Sequence, residues 1–343
     1  MDVGARTPLG LDATTSAAAV RAGIVRIEAH ETLVDSTGEP LRAAVDGRLD
    51  DTLMGWERMA ALLSAPLQHT LRSVPPHRPD APLALMLALP EHRPGFGAAE
   101  EQRLHQYLGS IAPAQHPFGI HTVGHGHAAG LLGLHRAVEL IGERHFEVAL
   151  VLGVDSYLDA DTLRWLGEGR RIKTRETRSS FFPGEAAGCV AVVSDTALRT
   201  LRLPSLATIQ GTGVAREPSA SEDPATDPVN LGRGLSAAIE KAAASLLGNG
   251  QSTDRVLCDL NGERMRSEEW GMVALRSHRA LTQAGDFEAP AGQWGDIGAA
   301  SGPLLVALAV AGWQRGYHRG STTLLFAGSD AGLRAAVVLE RPS

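Results

Sequence analysis

Cysteine, positive charge and long apolar runs are scarce in this sequence, and each scarcity excludes a class of protein. Two cysteines in 343 residues, Cys189 and Cys258, are too few for a disulfide framework or a zinc site built on thiolates. A net charge of −7 argues against a general nucleic-acid binder, which needs clustered positive charge. The longest apolar stretch, residues 303–313, is too short to cross a bilayer, and the opening residues MDVGARTPLG lack the features of a signal peptide. We therefore expect a cytoplasmic protein with no nucleic-acid and no membrane partner.

An internal repeat is the most informative feature of the sequence. The first copy, HAAGLLGLHRAVELIGERHFEVALVLGVDS, covers residues 127–156, and the second, AASGPLLVALAVAGWQRGYHRGSTTLLFAGSD, covers residues 299–330. Each copy begins with small residues, continues through an apolar helix and a polar turn, and enters an apolar strand. A further strand follows each copy, at residues 188–195 and 333–340. One pattern repeated in this way predicts two pseudo-symmetric α/β halves.

The repeat also predicts how the chain is divided. We place an N-terminal half at residues 1–200 and a C-terminal half at residues 201–343. Continuous apolar runs at residues 83–89 and 148–154 predict strands that are covered on both faces. Residues 216–228 are rich in Pro, Ser and Asp, which is typical of a surface loop.

A basic segment, GRRIKTRETR at residues 169–178, stands out in an acidic protein. A charge run of this kind usually forms a solvated loop. Contact with an acidic partner is the alternative interpretation of the same residues.

Five segments, in the right order and covering nearly the whole chain, resemble the β-ketoacyl synthases of the thiolase superfamily. GARTPLGLDATTSAAAVRAGI is similar to that family's opening turn and first helix, and VALVLGVDS to the strand after its nucleophile helix. FFPGEAAGCVAVV, at residues 181–193, is the best match. GDIGAASG, at 295–302, resembles the family's glycine-alanine motif, which carries the second catalytic histidine. SDAGLRAAVVLE, at 329–340, resembles its closing glycine-rich turn and final strand. The resemblance implies an α/β thiolase-like fold, with two pseudo-symmetric halves in an αβαβα layered arrangement.

The resemblance also assigns the positions that carry chemistry in this family. A condensing enzyme needs a cysteine at a helix N-terminus, where the helix dipole favours the thiolate, and two histidines that assist decarboxylation. The cysteine position falls on His127, in a segment, HTVGHGHAAG, that has no cysteine. The two histidine positions fall on Asn261 and Asp296. All three chemical positions are therefore changed, whereas the glycines and turns around them persist.

The same correspondence predicts a pocket around these positions. Asp330 takes the place at which the family's closing turn often carries a phenylalanine, and we expect His125 and Phe182 to line the pocket with it. His125 and His127 form a His-x-His pair, but no cysteine or carboxylate completes a ligand set at standard spacing. We therefore predict no metal and no cofactor.

Three hypotheses for function follow. The first is a catalytically degenerate, non-condensing protein that serves as a binding, scaffold or partner subunit, in the manner of a chain-length factor. The second is an acyl-thioester enzyme, a hydrolase, decarboxylase or acyltransferase, that uses His127 with Asp296 and Asn261. The third is an acyltransferase in which Cys189 or Cys258 participates.

Family analogy also predicts the partners. We expect a homodimer, or a heterodimer with an active synthase, and acyl-carrier protein as a further protein partner. The family analogy places strand pairing between subunits at residues 118–123.

Overall fold

The computed structural model describes residues 3–74, 83–113, 117–218 and 230–342. Its strands are β1 (Val3–Arg6), β2 (Glu28–Val34), β3 (Pro40–Ala43), β4 (Leu83–Leu89), β5 (Phe118–His125), β6 (Val148–Ser156), β7 (Glu185–Val193), β8 (Thr208–Arg216), β9 (Arg255–Cys258), β10 (Phe287–Glu288), β11 (Thr322–Gly328) and β12 (Leu333–Glu340). Its α-helices are α1 (Ala13–Arg21), α2 (Gly55–Ser73), α3 (Ala98–Ile111), α4 (Ala129–Gly142), α5 (Ala160–Glu168), α6 (Asp195–Thr200), α7 (Arg233–Ala242), α8 (Ala244–Gly248), α9 (Arg264–Arg276), α10 (Ala291–Trp294) and α11 (Ser301–Gln314).

Two five-stranded sheets repeat one topology. The first has the strand order β5-β4-β6-β7-β1, and the second has the order β10-β9-β11-β12-β8. In both sheets, the first three strands are parallel and the last two are antiparallel to their neighbours. Each sheet takes its strands from one side of the predicted division at residue 200. The matching orders agree with the duplication that the repeat predicts.

Helices cover both faces of each sheet and produce the predicted layers. Helices α4 and α11 lie between the sheets, in one apolar cluster with residues of β4, β6 and β11. Helices α2 and α3 pack on the outer face of the first sheet, and α7 and α9 pack on the outer face of the second. The order of layers is therefore αβαβα, as the resemblance implies.

The side chains of β4 show why its residues form a continuous apolar run. Ala84 and Met86 face the cluster between the sheets, whereas Leu85 and Leu87 face the outer helices. Successive side chains of a strand point to opposite faces, so both sets must be apolar when both faces are covered. All seven residues of the strand are buried.

The two central helices cross at a pair of equivalent glycines. Gly130 in α4 and Gly302 in α11 occupy matching places in the two repeats. A Cβ added to Gly302 would lie 2.6 Å from both the carbonyl carbon of Gly130 and the amide nitrogen of Leu131. The backbones therefore approach as closely as glycine permits. This crossing holds the N-terminal ends of both helices side by side.

Predictions for the connecting segments had mixed outcomes. Arg216, predicted to begin a surface loop, is the last residue of β8. Most of the predicted loop, residues 219–228, lies outside the described residues. Across the part of the chain that the structure describes, no helix is long and apolar enough to span a membrane.

His318 should make the fold sensitive to acid. Its ring packs against the backbone of Gly312, and it is 7% exposed. Burial, with help from the charge of Arg255, lowers the pKa of His318 to about 4. The unfolded chain therefore binds a proton between about pH 6.5 and pH 4 that the folded chain excludes. We expect the free energy of unfolding to fall by up to about 3 kcal/mol across this window as pH decreases.

Urea unfolding at a series of pH values measures this effect. A His318→Phe variant should lose less stability between pH 6.5 and pH 4 than the wild-type chain. His145→Gln serves as the control, because His145 is exposed. An equal loss of stability in His318→Phe and in the wild-type chain would contradict the assignment.

Candidate functional site

Two of the predicted site residues, His127 and Asp296, lie where the chain turns into the two central helices. Gly126, with φ of +83°, follows β5, and His127 comes just before α4 begins. Asp296 lies shortly before α11, and its backbone N–H donates to the carbonyl oxygen of Phe182 at 2.8 Å. Asn261 lies three residues after β9 ends. The crossing of α4 and α11 brings the segments that carry His127 and Asp296 together.

His127, Asp296 and Asn261 contact one another. Nε2 of His127 lies 2.8 Å from Oδ1 and 2.9 Å from Oδ2 of Asp296. Nδ2 of Asn261 donates to Oδ2 of Asp296 at 2.6 Å, and the backbone N–H of Gly298 donates to Oδ1 at 2.8 Å. His127 is 4% exposed and Asp296 is 2% exposed. Each oxygen of the Asp296 carboxylate therefore has two partners in a buried polar cluster.

Arg266, from the first turn of α9, contacts the other side of the His127 ring. Its Nη2 lies 3.2 Å from Nδ1 of His127 and 3.0 Å from Oδ1 of Asp330. Its Nη1 donates to Asp259 at 2.9 Å and to the carbonyl oxygen of Gly328 at 2.6 Å. Arg266 is itself only 6% exposed. With its contact to Glu263, the guanidinium joins His127 to three carboxylates and to the backbone.

These contacts define the chemistry that is open to His127. A guanidinium only donates hydrogen bonds, so Nδ1 is the acceptor in the neutral ring and the proton is on Nε2, facing Asp296. In the protonated ring, neither nitrogen has a lone pair. In neither state does His127 therefore have a ring nitrogen with a free lone pair that could accept a proton.

A second arginine, Arg171, covers the cluster toward solvent. It makes a bidentate pair with Glu263, at 2.8 Å and 3.0 Å, and donates to Asp330 at 2.6 Å. Glu263 also accepts from Asn261 at 3.1 Å and from Arg266 at 3.2 Å. The side chain of Arg171 is 22% exposed, so the prediction of a solvated basic loop at 169–178 is wrong for this residue. We call the group of His127, Asp259, Asn261, Glu263, Arg266, Asp296, Asp330 and Arg171 the ion-pair cluster.

The pKa values within the ion-pair cluster follow from these contacts. Burial opposes ionisation of Asp296, but His127 and Arg266 hold the pKa of its carboxyl well below the usual range. Asp330 lies at the surface, and Arg266 and Arg171 outweigh its partial desolvation and lower the pKa of its carboxyl to about 2. Burial and Arg266 disfavour a charged His127, yet Asp296 outweighs them and raises the pKa of the imidazole. Both carboxylates are therefore ionised at neutral pH.

The three predicted pocket residues lie in different places. Asp330 belongs to the ion-pair cluster. Phe182 contributes its carbonyl oxygen to Asp296, while its ring lies under Arg42, with the guanidinium carbon 4.9 Å from the ring centroid. The ring of His125 points toward α3, where Nε2 lies 3.1 Å from Oε2 of Glu101. The three side chains therefore do not line one pocket.

The space beside Asp296 is small. A cavity of about 10 Å³ adjoins it, between Cys258 and Ser301, which is room for about one water molecule. A larger cavity of about 420 Å³ lies along the C-terminal part of α4, beside Val138 and Ile141. With a rise of 1.5 Å per residue, these residues lie roughly 15–20 Å along the helix from His127. The larger cavity therefore does not serve the predicted site.

Neither cysteine has the surroundings of a nucleophile. Cys189 lies within β7 and is fully buried, and burial raises the pKa of its thiol to about 12. Cys258 ends β9, is also fully buried, and has its pKa raised by the same cause. Reactive cysteines need an accessible thiolate, which a helix N-terminus or a nearby cation stabilises.

Sequence reasoning missed the two arginines and the two acidic residues that complete the ion-pair cluster. Glu263 and Arg266 are spaced by three residues, a pattern typical of an exposed pair on a helix. Arg171 lies in a run of charges that predicts solvent exposure. Their burial depends on contacts over 60 to 160 residues of sequence, which no local pattern reveals.

Comparison with solved structures identifies the class of the fold. The ketosynthase from module 6 of the bacillaene synthase of Bacillus subtilis 168 matches all of this chain and 71% of its own, with a TM-score of 0.75 and 12% identity. The chain therefore has the thiolase-like α/β fold of the ketosynthases. No family model and no curated protein matches the sequence.

Two further solved structures are particular examples of this fold. The ishigamide ketosynthase/chain length factor matches 99% of this chain and 98% of its own, with a TM-score of 0.66 and 20% identity. The other structure holds a type II polyketide-synthase acyl-carrier protein in complex with its ketosynthase bound to the hexaketide. It matches 100% of this chain and 98% of its own. Its TM-score is 0.75 and its identity is 12%.

Proposed function

We propose that this chain is a catalytically degenerate, non-condensing ketosynthase-like protein that acts by binding a protein partner. The proposal rests on the hydrogen bonds of His127. The resemblance places this residue at the position of the family's cysteine. Both of its ring nitrogens have partners inside a closed ion-pair cluster. Condensation requires a thiolate at this position, and an imidazole that is held in this way neither accepts an acyl group nor removes a proton.

The partner is a second subunit of the same fold, either a condensing ketosynthase or a copy of this chain. One solved structure of the same fold is a ketosynthase/chain length factor, and another holds a ketosynthase with its acyl-carrier protein. Strand β5 supports the proposal, because it lies at the edge of its sheet, next to β4 alone among the described strands. An edge strand presents unpaired backbone groups to which a second sheet can hydrogen-bond.

A thioester-acting enzyme is the second candidate, and the contact between His127 and Asp296 favours it. An imidazole oriented by a carboxylate is a common general base. Arg266 opposes this function, because it occupies the nitrogen that would accept the proton. The second candidate therefore requires that Arg266 move away when substrate binds.

Enzyme assays and complex formation distinguish the two candidates. We expect the purified chain to show no decarboxylation, hydrolysis or transfer of malonyl and acyl thioesters of coenzyme A and acyl-carrier protein above the uncatalysed rate. We expect it to form a one-to-one complex with the ketosynthase that is encoded nearest to it, or a homodimer, as measured by light scattering. His127→Ala should leave this assembly unchanged.

A variant of the edge strand provides the matched comparison. Gly119 is exposed on β5, and Gly119→Lys should weaken an assembly that pairs through this edge, because each subunit would bring a charge to the contact. Thioester turnover by the isolated chain that His127→Ala abolishes would refute the proposal and establish the second candidate.

A further inference from the structure

A second polar cluster lies at the edge of the first sheet and shares no residue with the ion-pair cluster. Strands β4 and β5 are parallel neighbours, so their C-terminal ends lie together. His125 is the last residue of β5, and His92 follows β4 by three residues. Glu101 extends from the first turns of α3 toward both rings. We call His92, Glu101 and His125 the edge triad.

The donor atoms of the edge triad converge on one point. Nε2 of His125 lies 3.1 Å and Nε2 of His92 lies 3.4 Å from the same oxygen, Oε2, of Glu101. All three atoms lie within 4.8 Å of one another, and the two rings meet edge to face with centroids 5.0 Å apart. A tetrahedral metal with ligand bonds of about 2.0–2.1 Å separates its ligand atoms by about 3.4 Å. The two separations from Oε2 of Glu101 are close to this value.

We propose that the edge triad binds a divalent transition-metal ion of the zinc type. Two imidazoles and one carboxylate are a common three-residue ligand set for such ions, with a further position open to water or substrate. The side chains of His92 and His125 are 54% and 34% exposed, so an ion reaches them directly from solvent. Sequence spacing does not reveal the set, because Glu101 lies 24 residues before His125.

Outer contacts hold the carboxylate in position. Thr122, on β5, donates from its hydroxyl to Oε1 of Glu101 at 2.9 Å, which leaves Oε2 facing the two imidazoles. His105, one turn along α3 from Glu101, lies with its Nε2 2.7 Å from the same hydroxyl. Metal ligands are typically oriented by partners of this kind, and Thr122 is therefore a positioning residue.

Titration of the full chain with Zn²⁺ and with Co²⁺ tests the proposal. We expect one ion per chain, measured by calorimetry, and Co²⁺ absorption bands in the visible range that are typical of a tetrahedral site. Glu101→Gln, His92→Gln and His125→Gln should each weaken Zn²⁺ binding by about 100-fold or more. Loss of an outer contact alone typically lowers metal affinity by about 10–100-fold, and loss of a ligand should cost more. Thr122→Val should weaken it by about 10-fold.

His145→Gln is the matched control, because exposed His145 faces a single carboxylate, Glu143, at 3.3 Å. This variant should bind Zn²⁺ as the wild-type chain does. Equal binding by all the variants, or no binding of either ion at millimolar concentration, would overturn the proposal. Circular dichroism checks folding, and if one triad variant fails to fold, the other two decide the outcome.

Discussion

Replacing Arg266 by methionine should destabilise this protein more than any other single change that we consider. Arg266 is buried, and it pairs with Asp259, Glu263 and Asp330. Methionine fills much of the space but leaves Asp259 without the arginine that pairs with it, and it leaves Glu263 and Asp330 with Arg171 alone. Removing one partner of a buried ion pair costs about 3–5 kcal/mol, because the remaining charge is uncompensated. We expect a loss at the upper end of this range in the free energy of unfolding, measured by urea denaturation.

The pH dependence of the loss distinguishes an electrostatic cause from poor packing. Arg266 and Arg171 hold the pKa of Asp330 at about 2, below its usual value near 3.8. This contribution to stability is present above about pH 4 and disappears as pH falls toward 2. The difference between the wild-type chain and Arg266→Met should therefore be largest at neutral pH and should shrink below pH 4.

Arg264→Met is the control, since Arg264 lies two residues away and pairs with Glu268 at the surface. An exposed pair of this kind contributes little to the free energy of unfolding, because solvent screens it. Similar stabilities for the Arg264 and Arg266 variants would mean that the ion-pair cluster does not stabilise the fold.

Gly302→Ala should produce the second largest effect. Its added methyl group would lie 2.6 Å from the backbone of α4 at Gly130 and Leu131, a separation that real Cβ atoms do not adopt. Helices α4 and α11 must therefore move apart, which disturbs the packing between the two sheets. Overpacking of a core typically costs about 1–3 kcal/mol, and we expect the upper end because backbone atoms cannot rotate away.

Gly271→Ala provides the comparison for this prediction. Gly271 is a glycine of α9 whose added Cβ would meet no atom within 4 Å. Alanine should stabilise the chain there by about 0.5–1 kcal/mol, because glycine is a poor helix former. Urea denaturation midpoints that rise in both variants would show that the helix crossing tolerates a side chain.

The fold could be predicted from the sequence because its signals are repeated and local. The apolar runs that became β4 and most of β6 are each seven residues long, and each requires cover on both faces. The two copies of the helix and strand predict the two sheets. The exact contact between Gly130 and Gly302 was not predictable, since glycine is common in helices for other reasons.

The candidate site was predictable in part. The convergence of His127, Asn261 and Asp296 follows from the resemblance to the ketosynthases, and the structure brings the three together. Their enclosure by Arg266 and Arg171 was not foreseen, because charged residues are most often exposed. Burial of an arginine depends on carboxylates that arrive from distant parts of the chain.

The central claim is that this chain carries no acyl group during its function. Intact-protein mass spectrometry tests it directly, after incubation of the full chain with acyl-coenzyme A and with acyl-carrier protein that bears acyl chains of several lengths. We predict that the mass of the chain remains unchanged. A stable acyl adduct on His127, Cys189 or Cys258 would contradict the account.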